Sequence, residues 1–362
     1  MLTPQSDRIL MGPGPCNPYP EATEAFTRPM LGHLDPDFLT ILDETCDMLR
    51  RVWGTANPLT LPVSGTGSAG MEAAFVNTVG PGDVAVIGVN GLFGERMCDV
   101  AGRCGADVVR VDAAWGRALD PEQVLAAHRH PKVIAVVHAE TSTGVRNDLE
   151  PLGAGKGDAL LLADCVTSLG GIPVAVDEWG VDIAYSATQK CLGVSPGLAP
   201  FTMGARAAER RVARPQSWYL DLGMIADYAA TSGARKYHHT APIAMIMSLH
   251  GGLEALLAEG LPAAHKRHAE CGALLQEGLK KLGFELFAEE GHRLPELTTV
   301  LVPDGVDDVV VRRTLLTRFG IEIGGGVGDY AGRVWRIGCM GHTARPRNVV
   351  MLLGALAEVT AR

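Results

Sequence analysis

Between about residues 20 and 210, short aliphatic runs alternate with stretches of helical periodicity, which restricts this part of the chain to a βαβ series building a mostly parallel sheet. The strand candidates are Val84–Val89, Val108–Val111, Val133–Val137, Leu160–Ala163 and Ile183–Ser186, each bounded by Gly, Pro, Asp or polar residues. Ligands of such folds gather at the carboxyl ends of the strands, so chemistry is to be sought just past them.

Around residues 205–240 the pattern turns irregular and Arg-rich. A long helical stretch then starts near Ile243 and carries Leu249, Leu253 and Leu257. Beyond Pro262 the periodicity predicts a helix over His265–Leu282, strands near Phe284–Phe287 and Thr298–Val302, a helix near Asp307–Phe319, and strands near Ile321 and Trp335. A length of 362 residues suits about two domains. The expected division is an N-terminal arm (1–20), a large α/β domain (21–258) and a smaller α+β C-terminal domain (259–362). No repeat or low-complexity tract is visible, which removes solenoid and scaffold readings.

Composition narrows the partner. Hydrophobic residues at 47% and charged residues at 20% fit a folded protein and neither a disordered nor a collagen-like chain. The formal charge is -9 and the basic residues are scattered, which argues against nucleic-acid binding by phosphate neutralisation and favours a small-molecule ligand. Asp7 and Arg8 precede any long apolar run, so the start reads as neither a signal peptide nor a membrane span, and a cytoplasmic protein without a membrane partner is expected. The eight cysteines (Cys16, Cys46, Cys98, Cys104, Cys165, Cys191, Cys271, Cys339) contain no CxxC pair and read as free thiols. No metal constellation is visible either; His128-Arg129-His130 reads as a solvent-facing loop.

Two segments carry candidate chemistry. Ser64-Gly65-Thr66-Gly67-Ser68-Ala69-Gly70-Met71-Glu72 sets glycines and hydroxyls before a helix-forming run, the pattern of a cradle in which backbone N–H groups and the Thr66 and Ser68 hydroxyls meet a phosphate. Alone it reads equally as a Gly-rich turn that caps a helix, and it is neither a Walker loop nor GxGxxG. The second segment begins with the apolar run Leu160–Ala163, which ends in Asp164, and continues to Lys190 among small and apolar neighbours. A carboxylate at a strand end suits a pyridinium nitrogen, and a desolvated lysine suits a Schiff base with an aldehyde cofactor. Taken singly, Asp164 reads as a helix cap and Lys190 as a surface lysine; their combination carries the argument.

With these residues in view the chain resembles the class V pyridoxal-phosphate aminotransferases, specifically the alanine-glyoxylate, serine-glyoxylate and serine-pyruvate group. The matching stretches span nearly the whole chain: Met11-Gly12-Pro13-Gly14-Pro15, Ser64 to Glu72, Asn90 to Arg96, His138 to Val145, Ala163-Asp164 through Gly171, Gln189 to Leu192, Lys236 to Thr240, and Arg333 to Gly338. The resemblance implies the fold type I of pyridoxal-phosphate-dependent transferases, with the large domain holding the cofactor. It implies that Lys190 is the Schiff-base lysine and proton shuttle and that Asp164 pairs with the pyridine nitrogen. Thr66, Gly67 and Ser68 would hold the phosphate with Gln189 nearby, and Tyr237 and Thr240 would reach in from the partner subunit of a homodimer. Phe93 falls where the group sets an aromatic ring, often Trp, against the cofactor; read without the resemblance it is a core aromatic. Thr141 falls where a hydroxyl lies near the cofactor ring. Arg336 matches the arginine for the substrate carboxylate, against a bland reading as a structural salt bridge. His138, His238 and His239 read as structural histidines.

The implied reaction moves an amino group from alanine or serine to a 2-oxo acid, glyoxylate or pyruvate, by a ping-pong cycle. A ureidoglycine-handling relative shares part of Trp218–Gly223 and Gln189–Gly193 and is the first alternative; amide groups in that relative where this chain has His138 and Tyr237 favour alanine or serine here. Aminotransferases acting on phosphonates would need extra cationic groups, which cannot be assigned. A cysteine desulfurase reading would need a mobile thiolate, and Cys339 follows a strand at a tight turn. A non-catalytic cofactor-binding regulator fits poorly with Lys190, Asp164 and Arg336 all present.

Overall fold

A computed structural model describes residues 8–229 and 235–361. Residues 1–7 of the expected arm and 230–234 of the irregular stretch lie outside the described residues. The central layer is a seven-stranded sheet of β1 (Leu59–Ser64), β2 (Val84–Val89), β3 (Asp107–Asp112), β4 (Val133–Val137), β5 (Leu160–Asp164), β6 (Ile183–Tyr185) and β7 (Leu198–Met203). Their spatial order is β1-β7-β6-β5-β4-β2-β3, and β7 alone runs antiparallel to its neighbours.

All five strand candidates are present, with β3 and β5 slightly longer than the apolar runs and β6 ending at Tyr185. Every residue of β4 and β5 is buried, as expected for parallel strands covered on both faces. Two strands escape the apolar pattern, β1 and β7. Each contains a proline, Pro62 and Pro200, which sit directly opposite one another in the register; β1 is the edge strand, where proline is tolerated, whereas β7 is interior.

The helices that position the candidate residues follow strands directly: α1 (Gly67–Thr78) comes after β1 and α2 (Leu92–Arg103) after β2. A second, smaller sheet holds β8 (Leu297–Leu301), β9 (Gly324–Gly325) and β10 (Val334–Gly338) in the order β8-β10-β9, antiparallel throughout. It has its own core, in which Trp335, Leu275 and Leu352 are fully buried. Met11 belongs to that core although it lies far upstream in the chain. The long helices Ile243–Glu259 and Leu261–Lys281 meet at Gly260, whose φ of +86° permits the change of direction. A further helix, Pro346–Thr360, closes the described chain.

The strand predicted at Phe284–Phe287 reduces to one bridge, Leu286 to Val300. Phe284 and Phe287, three residues apart, pack on Trp335 and Tyr330 at ring distances of 5.8 and 4.7 Å, a spacing that strict two-residue alternation cannot serve. The helix predicted over Asp307–Phe319 is α-helical over Asp308–Thr314, and its last turn widens to π geometry over Leu315–Phe319. Among the described residues no helix is long and apolar enough to cross a membrane.

Candidate active site

The carboxyl ends of β1, β2, β5 and β6 converge on one cleft. Asp164 ends β5 and is almost wholly buried. Its Oδ1 accepts from the Val166 N–H and its Oδ2 from the Tyr185 hydroxyl, each at 2.8 Å, and Tyr185 sits directly opposite it on β6. Burial pushes the Asp164 carboxyl up to about 6 despite those hydrogen bonds. A cationic group brought to it would restore the charged form.

Lys190 lies in the loop between β6 and β7, which is pinned by the Ser186 hydroxyl on the Cys165 carbonyl (2.9 Å) and the Thr188 hydroxyl on the Ser195 carbonyl (2.7 Å). Only 8% exposed, its amine is lowered to about 8, first by burial and then by the nearby charge of Arg336. Its Nζ donates to the Pro13 carbonyl. The arm therefore forms one wall of the site: Cys16 N–H donates to the Gln189 carbonyl (3.0 Å), and Gly338 N–H to the Met11 carbonyl (2.8 Å). Gly14 has φ +99°, and a Cβ there would lie 2.5 Å from Cδ and 2.8 Å from Nζ of Lys190. Within Met11–Pro15, which the sequence could only match by resemblance, Gly14 is thus the residue that leaves the lysine room.

Thr66, Gly67 and Ser68 line the same cleft with Phe93, Arg96 and Gln189, around a cavity of about 140 Å³. Thr66 precedes the first turn of α1 without capping it through its side chain, which leaves the Gly67 and Ser68 N–H groups without an acceptor among the described residues. A side chain at Gly67 would come within 2.9 Å of Val166 and 3.0 Å of Ala187, so only glycine allows the helix start to approach β5 and β6. The buried Gln189 Oε1 also has no partner among the described residues. Phe93 opens α2, whose start is held by a carboxylate that sequence reasoning missed. Glu140, wholly buried, accepts at Oε2 from the Phe93 and Gly94 N–H groups (3.2 and 3.3 Å) and at Oε1 from both the N–H and the hydroxyl of Ser142. Burial raises its pKa, and the four donors oppose that rise.

Arg336 sits in the middle of β10 opposite Gly324. Its Nε donates to the Gly325 carbonyl at 2.8 Å and one terminal nitrogen reaches the Thr141 carbonyl at 3.4 Å. Those two carbonyls are its hydrogen-bond partners, and among the described residues no carboxylate pairs with it, so the bland salt-bridge reading is not what the structure brings together. Burial lowers its pKa, and Glu140 opposes that shift from a distance.

Other candidates lie elsewhere. Thr141 is buried with its hydroxyl engaged by that of Thr167. Tyr237, 60% exposed, rests against His33, and Thr240 is exposed as well; neither lines the cleft within one chain. His239 touches Ser64 Oγ at 3.0 Å through Nε2, and His238 lies against Trp218 at a ring distance of 4.3 Å. His138 lines a different cleft beside Trp179, and burial lowers it to about 3. Cys339 is fully buried and its thiol is pushed up by burial, the opposite of a mobile thiolate. Among the described residues no group of three or more His, Cys, Asp or Glu side chains is placed to hold a metal.

A buried acid at a strand end, a desolvated lysine and a helix start with free N–H groups are combined here on a mostly parallel sheet. The family signature described as aminotransferase class-V matches residues 17–330. This chain belongs to the class-V aminotransferases. The aminotransferase is 40% identical to an alanine–glyoxylate aminotransferase of Drosophila melanogaster, over 97% of this chain and 92% of that one. It is 37% identical to an (S)-ureidoglycine–glyoxylate transaminase of Bacillus subtilis, over 98% and 91%. A crystal structure of an alanine–glyoxylate aminotransferase from Nostoc sp. superposes with a TM-score of 0.95 at 48% identity, covering 99% of this chain and 97% of that one. The fold is the fold type I of pyridoxal-phosphate transferases, and pyridoxal phosphate is the aminotransferase's cofactor. The residues present fit it: free N–H groups wait at the cradle, Gln189 has an orphaned oxygen, and Asp164 retains lone pairs beyond its two hydrogen bonds.

Proposed function

We propose that this aminotransferase takes the amino group of alanine or serine and passes it to glyoxylate or pyruvate by a ping-pong cycle. The observation that carries the reading is Arg336, a largely buried guanidinium with two backbone carbonyls and, among the described residues, no carboxylate of its own, within electrostatic reach of Lys190. A planar fork so placed is completed by the carboxylate that every amino acid and 2-oxo acid substrate carries. Lys190 would hold the cofactor covalently and, once freed by substrate, its Nζ would take the α-proton and return it; an amine lowered to about 8 is neutral often enough for that work near neutrality. Asp164 would face the pyridine nitrogen and keep a proton on it. When bound, the cofactor supplies an electron sink for the pair left by the departing α-proton.

Thr66, Gly67, Ser68 and Gln189 would hold the phosphate, Phe93 would lie against the cofactor ring, and Thr141 would stand beside it. Tyr237 and Thr240 face outward, which agrees with their completing the site of a partner subunit in a homodimer. We divide the chain into an arm (1–20), a large domain (21–258) and a small domain (259–362); the separate cores of the two sheets support this. Eight unpaired cysteines suit a cytoplasmic enzyme.

The Bacillus subtilis relative favours a second reading, with ureidoglycine as donor. Rates with alanine, serine and (S)-ureidoglycine, each against glyoxylate and pyruvate, separate the two. Parallel lines in double-reciprocal plots and a kcat/KM for alanine or serine at least about tenfold above ureidoglycine are expected. The reverse ranking gives the second reading, and no transfer from any donor refutes both.

A further inference from the structure

The cleft beside Lys190 contains an unassigned cation. Two cationic side chains line it, Lys190 and Arg96. The lysine amine is turned toward the Pro13 carbonyl, while the cradle at Thr66, Gly67 and Ser68 offers only neutral donors. A phosphate monoester carries close to two negative charges near neutrality, and a guanidinium is suited to its oxygens. Arg96 projects from the first turns of α2, beside that cradle: one terminal nitrogen donates to Ser68 Oγ at 3.3 Å, and its Cζ lies 4.8 Å from the centre of the Phe93 ring. It is half-buried, and among the described residues no carboxylate pairs with it.

We propose that Arg96 is the cation of the cofactor-phosphate subsite, held at the mouth of the cleft by Ser68 and Phe93 so that its remaining N–H groups meet the phosphate. This rests on the cofactor reading above and adds to it a charge that the neutral cradle lacks. The rival role is purely mechanical: an arginine that braces the Phe93 ring would serve the cofactor's ring and not its phosphate.

Pyridoxal and pyridoxal phosphate, which differ only in the phosphate, separate the two. The apoprotein of the full chain, as wild type, Arg96→Gln and Arg96→Lys, is titrated with each aldehyde and followed by absorbance. In Arg96→Gln the Kd for pyridoxal phosphate should rise about ten- to a hundredfold while that for pyridoxal stays within about twofold, and Arg96→Lys should recover most of the loss. Inorganic phosphate should compete with pyridoxal phosphate more weakly in Arg96→Gln than in wild type. An unchanged Kd for pyridoxal phosphate, or an equal loss for both aldehydes, overturns the proposal. Wild-type protein that takes up neither aldehyde overturns the cofactor reading itself, an outcome visible before any variant is compared.

Discussion

Gly14→Ala should cripple turnover while sparing most of the fold. The added methyl meets two obstacles. An L-residue held at φ +99° is strained by roughly 1–2 kcal/mol. The methyl would also lie 2.5 Å from Cδ and 2.8 Å from Nζ of Lys190. Carbon contacts open to about 3.5–4.0 Å, so the lysine tip must retreat by roughly 1 Å or more. A displacement of about 1 Å at a reacting group costs on the order of a hundredfold in rate. The tip of a lysine yields more cheaply than backbone, so stability should fall by little more than the strain, a few degrees in Tm. Stopped-flow measurement of the half-reaction with the amino donor, alongside thermal melting, reads both numbers. A half-reaction within about threefold of wild type would mean that Gly14 does not set the position of Lys190.

Lys190→Ala should lose at least about a thousandfold in turnover yet melt close to wild type if, as proposed, the residue's work is covalent and protonic; near-normal rates would remove it from the chemistry. Arg336→Ala should raise KM for carboxylate substrates about ten- to a hundredfold, with Arg336→Lys in between, and an unchanged KM would assign the guanidinium to structure. Glu296 is wholly buried with neither carboxylate oxygen hydrogen-bonded among the described residues, and burial raises it from 4.5 to about 8. Between those values the folded state keeps a proton that the unfolded chain has lost, so stability falls as pH rises through the window and levels above it. Glu296→Gln should accordingly raise Tm near pH 8.5 and change it little near pH 5, and equal shifts at both would show that Glu296 does not titrate in that window. Cys339→Ala should keep transaminase activity, whereas its loss would revive a role for the thiol.

The parts of the site legible in sequence were those whose meaning is local. Asp164 closes an apolar strand, Lys190 has small neighbours, and Thr66 to Ser68 precede a helix; each signal fits in a window of a dozen residues. Gly14 was matched by resemblance but had no reason, because its reason is a lysine that the arm meets across 177 residues, as the Pro13 contact shows. Glu140, Tyr185 and Arg96 were silent for the same cause. Glu140 sits in a two-residue strand and caps a helix that starts 48 residues earlier, at Leu92. The fold divides likewise. Buried parallel strands such as β4 and β5 announce themselves by composition, whereas β1 and β7 each carry a proline that interrupts the apolar signal. Phe284–Phe287 misled because its aromatic residues serve ring packing and not a ladder.

Whether Lys190 carries the cofactor opposite Asp164 in a transaminase is read by trapping the adduct. The purified protein, loaded with pyridoxal phosphate, is followed by visible absorbance while alanine, serine and then glyoxylate are added separately, and a sample is reduced with borohydride and mapped by peptide mass. A visible band that bleaches with alanine or serine, returns with glyoxylate, and leaves the reduced adduct on the peptide containing Lys190 is the expected result. An adduct on another lysine, or no band at any cofactor concentration, would rule out that role for Lys190.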